Sequence, residues 1–126
     1  MKKTKRKKLP NIQTLKKKAW RLFSEYIRKR DNYTCISCSR QCEKGKGVAG
    51  HFVPKSYGLS LYFDPKNVNF QCVPCNLFRH GNLSSYAVAL RKNYGPNILE
   101  ELDAKRKEVK KYTRSEYMDL IEKYKV

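Results

Sequence analysis

"CVPCNLFRH", residues 72–80, is the stretch on which the reading of this chain turns. Two cysteines with two residues between them point both thiolates of one turn at a single tetrahedral ion. Asn76 and His80 stand four apart, so a helix starting here would carry an amide and an imidazole on one face. Upstream, Cys35-Ile36-Ser37-Cys38 repeats the spacing. One such pair is a weak sign, but two in a short basic chain supply the four sulfurs that structural zinc takes. Cys35, Cys38, Cys72 and Cys75 are therefore the expected zinc ligands, in a closed site that holds the fold and leaves no position open for chemistry. Cys42 is the spare. It is an alternative to Cys38, although the regular spacing favours Cys38. A redox pair would need thioredoxin-like surroundings, which these residues do not resemble. The five cysteines are also an odd number, which a disulfide framework would not use up.

Charge narrows the partner. Lys and Arg number 29 against 11 Asp and Glu, giving a formal net charge of +18 and a pI near 9.9. Such an excess points to a polyanion, because each phosphate neutralised releases condensed counterions. Nucleic acid leads, and an anionic membrane surface follows. No apolar run approaches the ~20 residues that cross a bilayer. The start, "MKKTKRKKLP", lacks the apolar stretch of a signal peptide, so an intracellular, cytoplasmic protein is expected.

The 126 residues suit one domain. Residues 1–10 read as a basic flexible tail and 11–126 as a single unit. Within it, Leu15, Ala19, Leu22, Phe23, Tyr26 and Ile27 recur at helical spacing, with lysines and arginines over the rest, so 11–30 is a basic amphipathic helix. Trp20 extends its apolar face. Residues 31–82 form the expected zinc core: between Asp31 and Phe70 the helical period gives way to loops and two short strands, one near Val48–Val53, and "NLFRHGNL" from Asn76 restarts a helix that Gly81 soon interrupts. The remainder, 83–126, is helical. One helix runs from about Ser84 to Gly95, a glycine suited to a helix end. Another spans "NILEELDAKRKEVKKY". A last one is capped by Thr113 and Glu116, with Tyr117, Leu120, Ile121 and Tyr124 on one face. The expected class is α+β.

Between the knuckles lies "AGHFVPKS" with His51, and Asn67 precedes the second knuckle. An imidazole base, with an amide and a second imidazole to hold a hydrated divalent cation, is economical equipment for hydrolysing a phosphodiester. Tyr57, Tyr62 and Phe63 could stack on unpaired bases, but packing around the zinc is the preferred reading.

At these residues the sequence resembles the HNH (ββα-metal) nucleases that contain a structural zinc. The resemblance implies that His51 is the general base and that Asn67 steadies the connecting loop, with Asn69 competing for that register. It further implies that Asn76 and His80 hold a catalytic Mg²⁺ or Mn²⁺. Many of these nucleases place Asp immediately before the histidine, where this chain has Gly50. Asp31 and Asp64 are candidates to replace it, though neither fits the motif. "LFSEYIRKRD", "AGHFVPKS" and "LYFDPKNVNFQCVPCNLFRHGNLSSYAVALRKNYG" together look like the NinG/Rap recombination endonucleases of lambdoid phages. That similarity implies a structure-selective DNA endonuclease acting on Holliday junctions and D-loops in the host cytoplasm. The family precedent implies products with a 5′ phosphate and a 3′ hydroxyl, and symmetric cutting of two junction strands would favour a homodimer. The rival readings are a non-catalytic zinc module for DNA or RNA, a general duplex nuclease and, more distantly, a ribosome-associated protein.

Overall fold

The computed structural model of the protein describes residues 9–125. Most of the expected basic tail, residues 1–8, lies outside the described residues, and Leu9 and Pro10 are exposed and irregular. The elements run α1 (Ile12–Arg30), β1 (Val48–His51), a short 3-10 turn, β2 (Val68–Gln71), a π-helical turn (Pro74–Phe78), α2 (Leu83–Tyr94), α3 (Ile98–Arg106) and α4 (Arg114–Tyr124). This is a mixed α+β chain.

Helix α1 starts where Asn11 accepts a hydrogen bond from the Thr14 amide at 2.8 Å, satisfying one of the free N–H groups of the first turn. Arg28, Lys29 and Arg30 fill its last turn, where cations suit the negative end of the helix dipole. Leu15, Ala19, Phe23 and Ile27, spaced by four, form its buried stripe. They meet Tyr117, Ile121 and Tyr124 of α4 together with Ala49, Phe63 and Val68. The capping box of α4 is present in both directions, Thr113 bonding the Glu116 amide and Glu116 the Thr113 amide.

The sheet has two antiparallel strands, pairing Val48 with Gln71, Ala49 with Phe70, Gly50 with Asn69 and His51 with Val68. Strand β1 is shorter than the expected Val48–Val53, because Phe52 and Val53 turn aside to bond Asn67. The Arg30–Asp31 pair fastens α1 to the sheet. Arg30 donates to the carbonyls of Pro65 and Val68 and to Asn69 Oδ1, while Asp31 accepts from the Phe70 amide at 2.8 Å.

A second core joins Leu61 to Tyr86 and Leu90 of α2 and to Ile98 and Leu102 of α3. Helix α2 closes at Gly95, whose φ of +100° is costly for any residue with a Cβ. Helix α3 ends at Arg106 instead of running on through "KEVKKY". Beyond Leu102 the next apolar residue at helical spacing would be Val109, which is fully exposed, so no buried face supports further turns. Tyr62 and Phe63 pack against α1 and not around the cysteines, and Tyr57 is exposed beneath Arg106. Among the described residues no helix is long and apolar enough to cross a membrane.

Candidate functional site

The two knuckles come together. The Sγ atoms of Cys35, Cys38, Cys72 and Cys75 lie within 4.8 Å of one another, with Cys38 and Cys72 3.6 Å apart. A tetrahedral ion bound about 2.3 Å from each sulfur would hold the sulfurs about 3.8 Å apart, so the cluster could hold zinc. Cys42 packs beside it and is not one of the four. Burial pushes the Cys72 thiol up to about 12 and raises Cys38 as well. Burial also works against the Cys35 thiolate, but the N–H groups of Cys72, Cys38 and Ser37 outweigh it and lower its pKa. Thiols crowded in this way ionise together only when a cation compensates them, which is the chemistry of a structural metal site.

Beside this cluster the edge of β1 opens into a cleft lined by Trp20, Gly50, His51, Lys55, Tyr62 and Asn76, among others. The His51 Nε2 lies 3.0 Å from the Tyr62 carbonyl oxygen. A carbonyl only accepts, so Nε2 carries the proton and Nδ1 keeps its lone pair. Trp20 stacks on the imidazole, with ring centroids 5.0 Å apart and planes inclined by 17°. Burial lowers the His51 pKa; the Tyr62 carbonyl raises it in part, and Lys55 lowers it further. The ring is neutral at pH 7, oriented, and basic at Nδ1.

Asn67 is fully buried and fixes the loop between the strands. Its Oδ1 accepts from the Val53 amide at 2.8 Å, and its Nδ2 donates to the Val53 and Leu61 carbonyls at 3.2 and 3.1 Å. That loop carries Tyr62, whose carbonyl sets the His51 tautomer. Asn69 serves a different purpose, accepting from Arg30 and donating to the Tyr86 hydroxyl. Of the two asparagines, Asn67 is the one bonded to Val53 and Leu61 of the loop.

The expected helix after the second knuckle is absent. A π-helical turn over Pro74–Phe78 takes its place and ends at Arg79, and His80 adopts a left-handed φ of +49°. Wide-turn bonds account for this: the Arg79 amide donates to the Pro74 carbonyl and the Gly81 amide to the Cys75 carbonyl. Leu77 and Phe78, 65% and 77% exposed, have no apolar surface against which to extend a helix. Asn76 and His80 therefore share no helix face. Asn76 reaches the His51 cleft and His80 is exposed outside it.

Neither proposed replacement for the missing acid enters the cleft. Asp31 is held by Arg30 and the Phe70 amide, and Asp64 by Lys105 at 2.7 Å and the Lys66 amide. Gly50 has no room for an acid. A Cβ built there would sit 2.1 Å from Gln71 Oε1 and 3.1 Å from Asn76 Nδ2. Among the described side chains that line the cleft, Asn76 supplies an amide oxygen and Tyr62 a hydroxyl, and there is no carboxylate. Such a donor set fits a hydrated Mg²⁺ or Mn²⁺ whose remaining positions are filled by water and a substrate phosphate. It does not fit a tightly held resident ion. Sequence reasoning missed Trp20 as the plate on His51, the Tyr62 carbonyl and Gln71. None carries a sequence signal beyond a tryptophan in an otherwise lysine-rich helix.

The fold and site define an α+β protein with a four-cysteine centre beside a histidine cleft. The chain belongs to the family described as Bacteriophage Lambda NinG protein, whose model matches residues 1–126. Protein ninG of Escherichia phage 933W is 34% identical over 89 residues, covering 70% of this chain and 44% of that protein. Protein ninG of Salmonella phage P22 is 34% identical over 92 residues, covering 72% and 45%. For protein ninG of Escherichia phage lambda the identity is 33% over 89 residues, covering 70% and 43%. The chain thus spans less than half the length of these relatives. No solved structure matches it.

Proposed function

We propose that the chain is an HNH-type endodeoxyribonuclease that hydrolyses phosphodiester bonds in branched DNA, with His51 as general base and a structural zinc on Cys35, Cys38, Cys72 and Cys75. The observation that carries this reading is the His51 ring. It is neutral, locked in one tautomer by the Tyr62 carbonyl, and set in a cleft shared with Asn76 on a chain of net charge +18. A packing histidine needs no such arrangement.

In this mechanism His51 Nδ1 takes a proton from a water molecule as the water oxygen attacks phosphorus in line. The bond from phosphorus to the 3′ oxygen breaks, and that oxygen leaves with a proton from solvent. Trp20 and the Tyr62 carbonyl hold the ring through both protonation states, and the carbonyl gains strength as an acceptor once the ring is charged. The Asn76 amide oxygen would hold a divalent cation, which when bound would supply charge stabilisation for the departing oxygen. Lys55 and the lysines of α1 provide phosphate contacts that set affinity without reading sequence. With 29 cations and 11 acids, internal ion pairs leave most of these cations free for DNA. The exposed Leu77 and Phe78, beside Asn76, offer an apolar surface to bases unstacked at a branch.

The deciding experiment incubates the protein with a synthetic four-way junction and a linear duplex of the same sequence, with and without Mg²⁺, alongside His51→Ala. The expected result is metal-dependent nicking of the junction, lost in the variant while binding persists. Equal binding by both proteins with no cleavage under Mg²⁺ or Mn²⁺ would leave a zinc-stabilised binding module instead. Equal cutting of both substrates would leave a general duplex nuclease.

A further inference from the structure

We infer that Gln71 is a positioning residue: it sets which atom of Asn76 faces the cleft and ties that choice to the first cysteine knuckle. This rests on the reading of Asn76 as a cation ligand.

Gln71 is fully buried at the end of β2. Its Nε2 lies 2.6 Å from the Gly81 carbonyl oxygen and 3.0 Å from Ser37 Oγ. The Gly81 carbonyl can only accept, so the amide end of Gln71 that faces it must be the NH₂ group. The opposite end, Oε1, is then an acceptor without ambiguity. Asn76 Nδ2 sits 3.1 Å from it and donates to it. An Asn76 flipped by 180° would set two carbonyl oxygens against each other in a half-buried place and forfeit the hydrogen bond to Gln71. Asn76 therefore turns its NH₂ group inward, and its Oδ1 is the atom left for the cleft.

The chain of contacts begins at the metal centre. Ser37 lies between Cys35 and Cys38, and Asn76 directly follows Cys75, so both ends of the relay hang on the knuckles that zinc would join. Gly50 completes the device. Its missing side chain leaves the space that Gln71 Oε1 occupies, 2.1 Å from where a Cβ would stand. Where related nucleases carry a charged ligand on the strand, this chain carries a glycine and an inward-reaching amide that orients the remaining ligand.

The test uses Mn²⁺ alone as the probe, followed by its paramagnetic broadening of side-chain amide signals in NMR spectra of the zinc-loaded protein. In the wild type, Mn²⁺ should broaden the Asn76 signals first, and the Asn76 NH₂ protons should exchange slowly with solvent. In Gln71→Met, of similar volume, the Mn²⁺ concentration for half-broadening should rise about 10–100-fold, as for other residues that orient metal ligands. Zinc content should be unchanged. Equal broadening in the wild type and a folded Gln71→Met would overturn the positioning role while leaving Asn76 as a ligand. If Mn²⁺ spares Asn76 in the wild type, both the ligand reading and this inference fall, while junction nicking would still test the nuclease. Should Gln71→Met not fold, the wild-type measurement decides: an Asn76 NH₂ group in fast exchange overturns the proposal, and a protected one supports it.

Discussion

Replacing Gly50 by alanine is the sharpest probe of how the cleft is built. In most strands the change from glycine to alanine stabilises a protein by about 0.4–1 kcal/mol, because it narrows the unfolded ensemble. Here the sign should reverse. The added methyl carbon would lie 2.1 Å from Gln71 Oε1 and 2.9 Å from its Cδ. Those atoms end a flexible side chain, which elsewhere would simply swing away. Gln71 has nowhere to go, being fully buried and hydrogen-bonded to Asn76, Ser37 and Gly81. Displacing it forfeits three hydrogen bonds worth about 1 kcal/mol each. After subtracting the entropic gain, the net loss is about 2–3 kcal/mol, or roughly 10 °C in Tm for a chain of this size. Urea unfolding of zinc-loaded wild type and Gly50→Ala measures it directly. Gly50→Asp, which places an acid where the resemblance to HNH nucleases leads one to look for it, should do at least as much damage and should not improve Mg²⁺-dependent cleavage under the proposed function. A Gly50→Ala protein as stable as wild type would refute the packing argument and with it the reason given for the missing acid.

Other outcomes follow from the same geometry. Stripping zinc with a strong chelator, or Cys72→Ser, should cost several kcal/mol and disrupt both core clusters, seen as loss of near-UV dichroism, because folding and metal binding are one process at such a site. Asn67→Ala removes three hydrogen bonds of a fully buried side chain, so about 2–4 kcal/mol of stability should go in urea melts. Cleavage by the remaining folded fraction should also fall, since the Tyr62 carbonyl loses its support. The His51 pKa lies below its usual 6.5 in the folded chain, so folding disfavours the proton there. Its contribution to stability should be complete above pH 6.5 and disappear as pH falls through the folded pKa. The acid limb of the cleavage profile should likewise have its midpoint below 6.5. A midpoint above 6.5 would contradict burial as the dominant influence on His51.

Much of the scaffold was legible because it rests on local rules. The stripe of Leu15, Ala19, Phe23 and Ile27, the Thr113–Glu116 cap and the Gly95 stop each depend on residues within a few positions of one another. The cysteine pairs were legible because their spacing suits the tetrahedral ion that the four sulfurs could hold. The segment after Cys75 was not. Its sequence is compatible with a regular helix, and only the lack of anything to bury Leu77 and Phe78 turns it into a wide turn. Helix α3 stopped early for a related reason, with Val109 finding no partner. Within the cleft, His51 and Asn76 could be named from their neighbours. The groups that give them direction could not, since a backbone carbonyl leaves no trace in sequence and Gln71 acts only through where β2 ends.

The pairing of α1 with α4 also has a meaning in time. These helices form the most extensive packing between elements, yet they stand at opposite ends of the described chain. At about 5–20 residues per second, α1 leaves the ribosome roughly 5–20 s before α4 exists to cover it. Until then the part of its apolar stripe that Tyr117, Ile121 and Tyr124 cover lacks that cover, although Ala49, Phe63 and Val68 are made earlier. The order of synthesis therefore leaves the largest helix-to-helix contact to the end, so the packing that completes the first core is the last to become available.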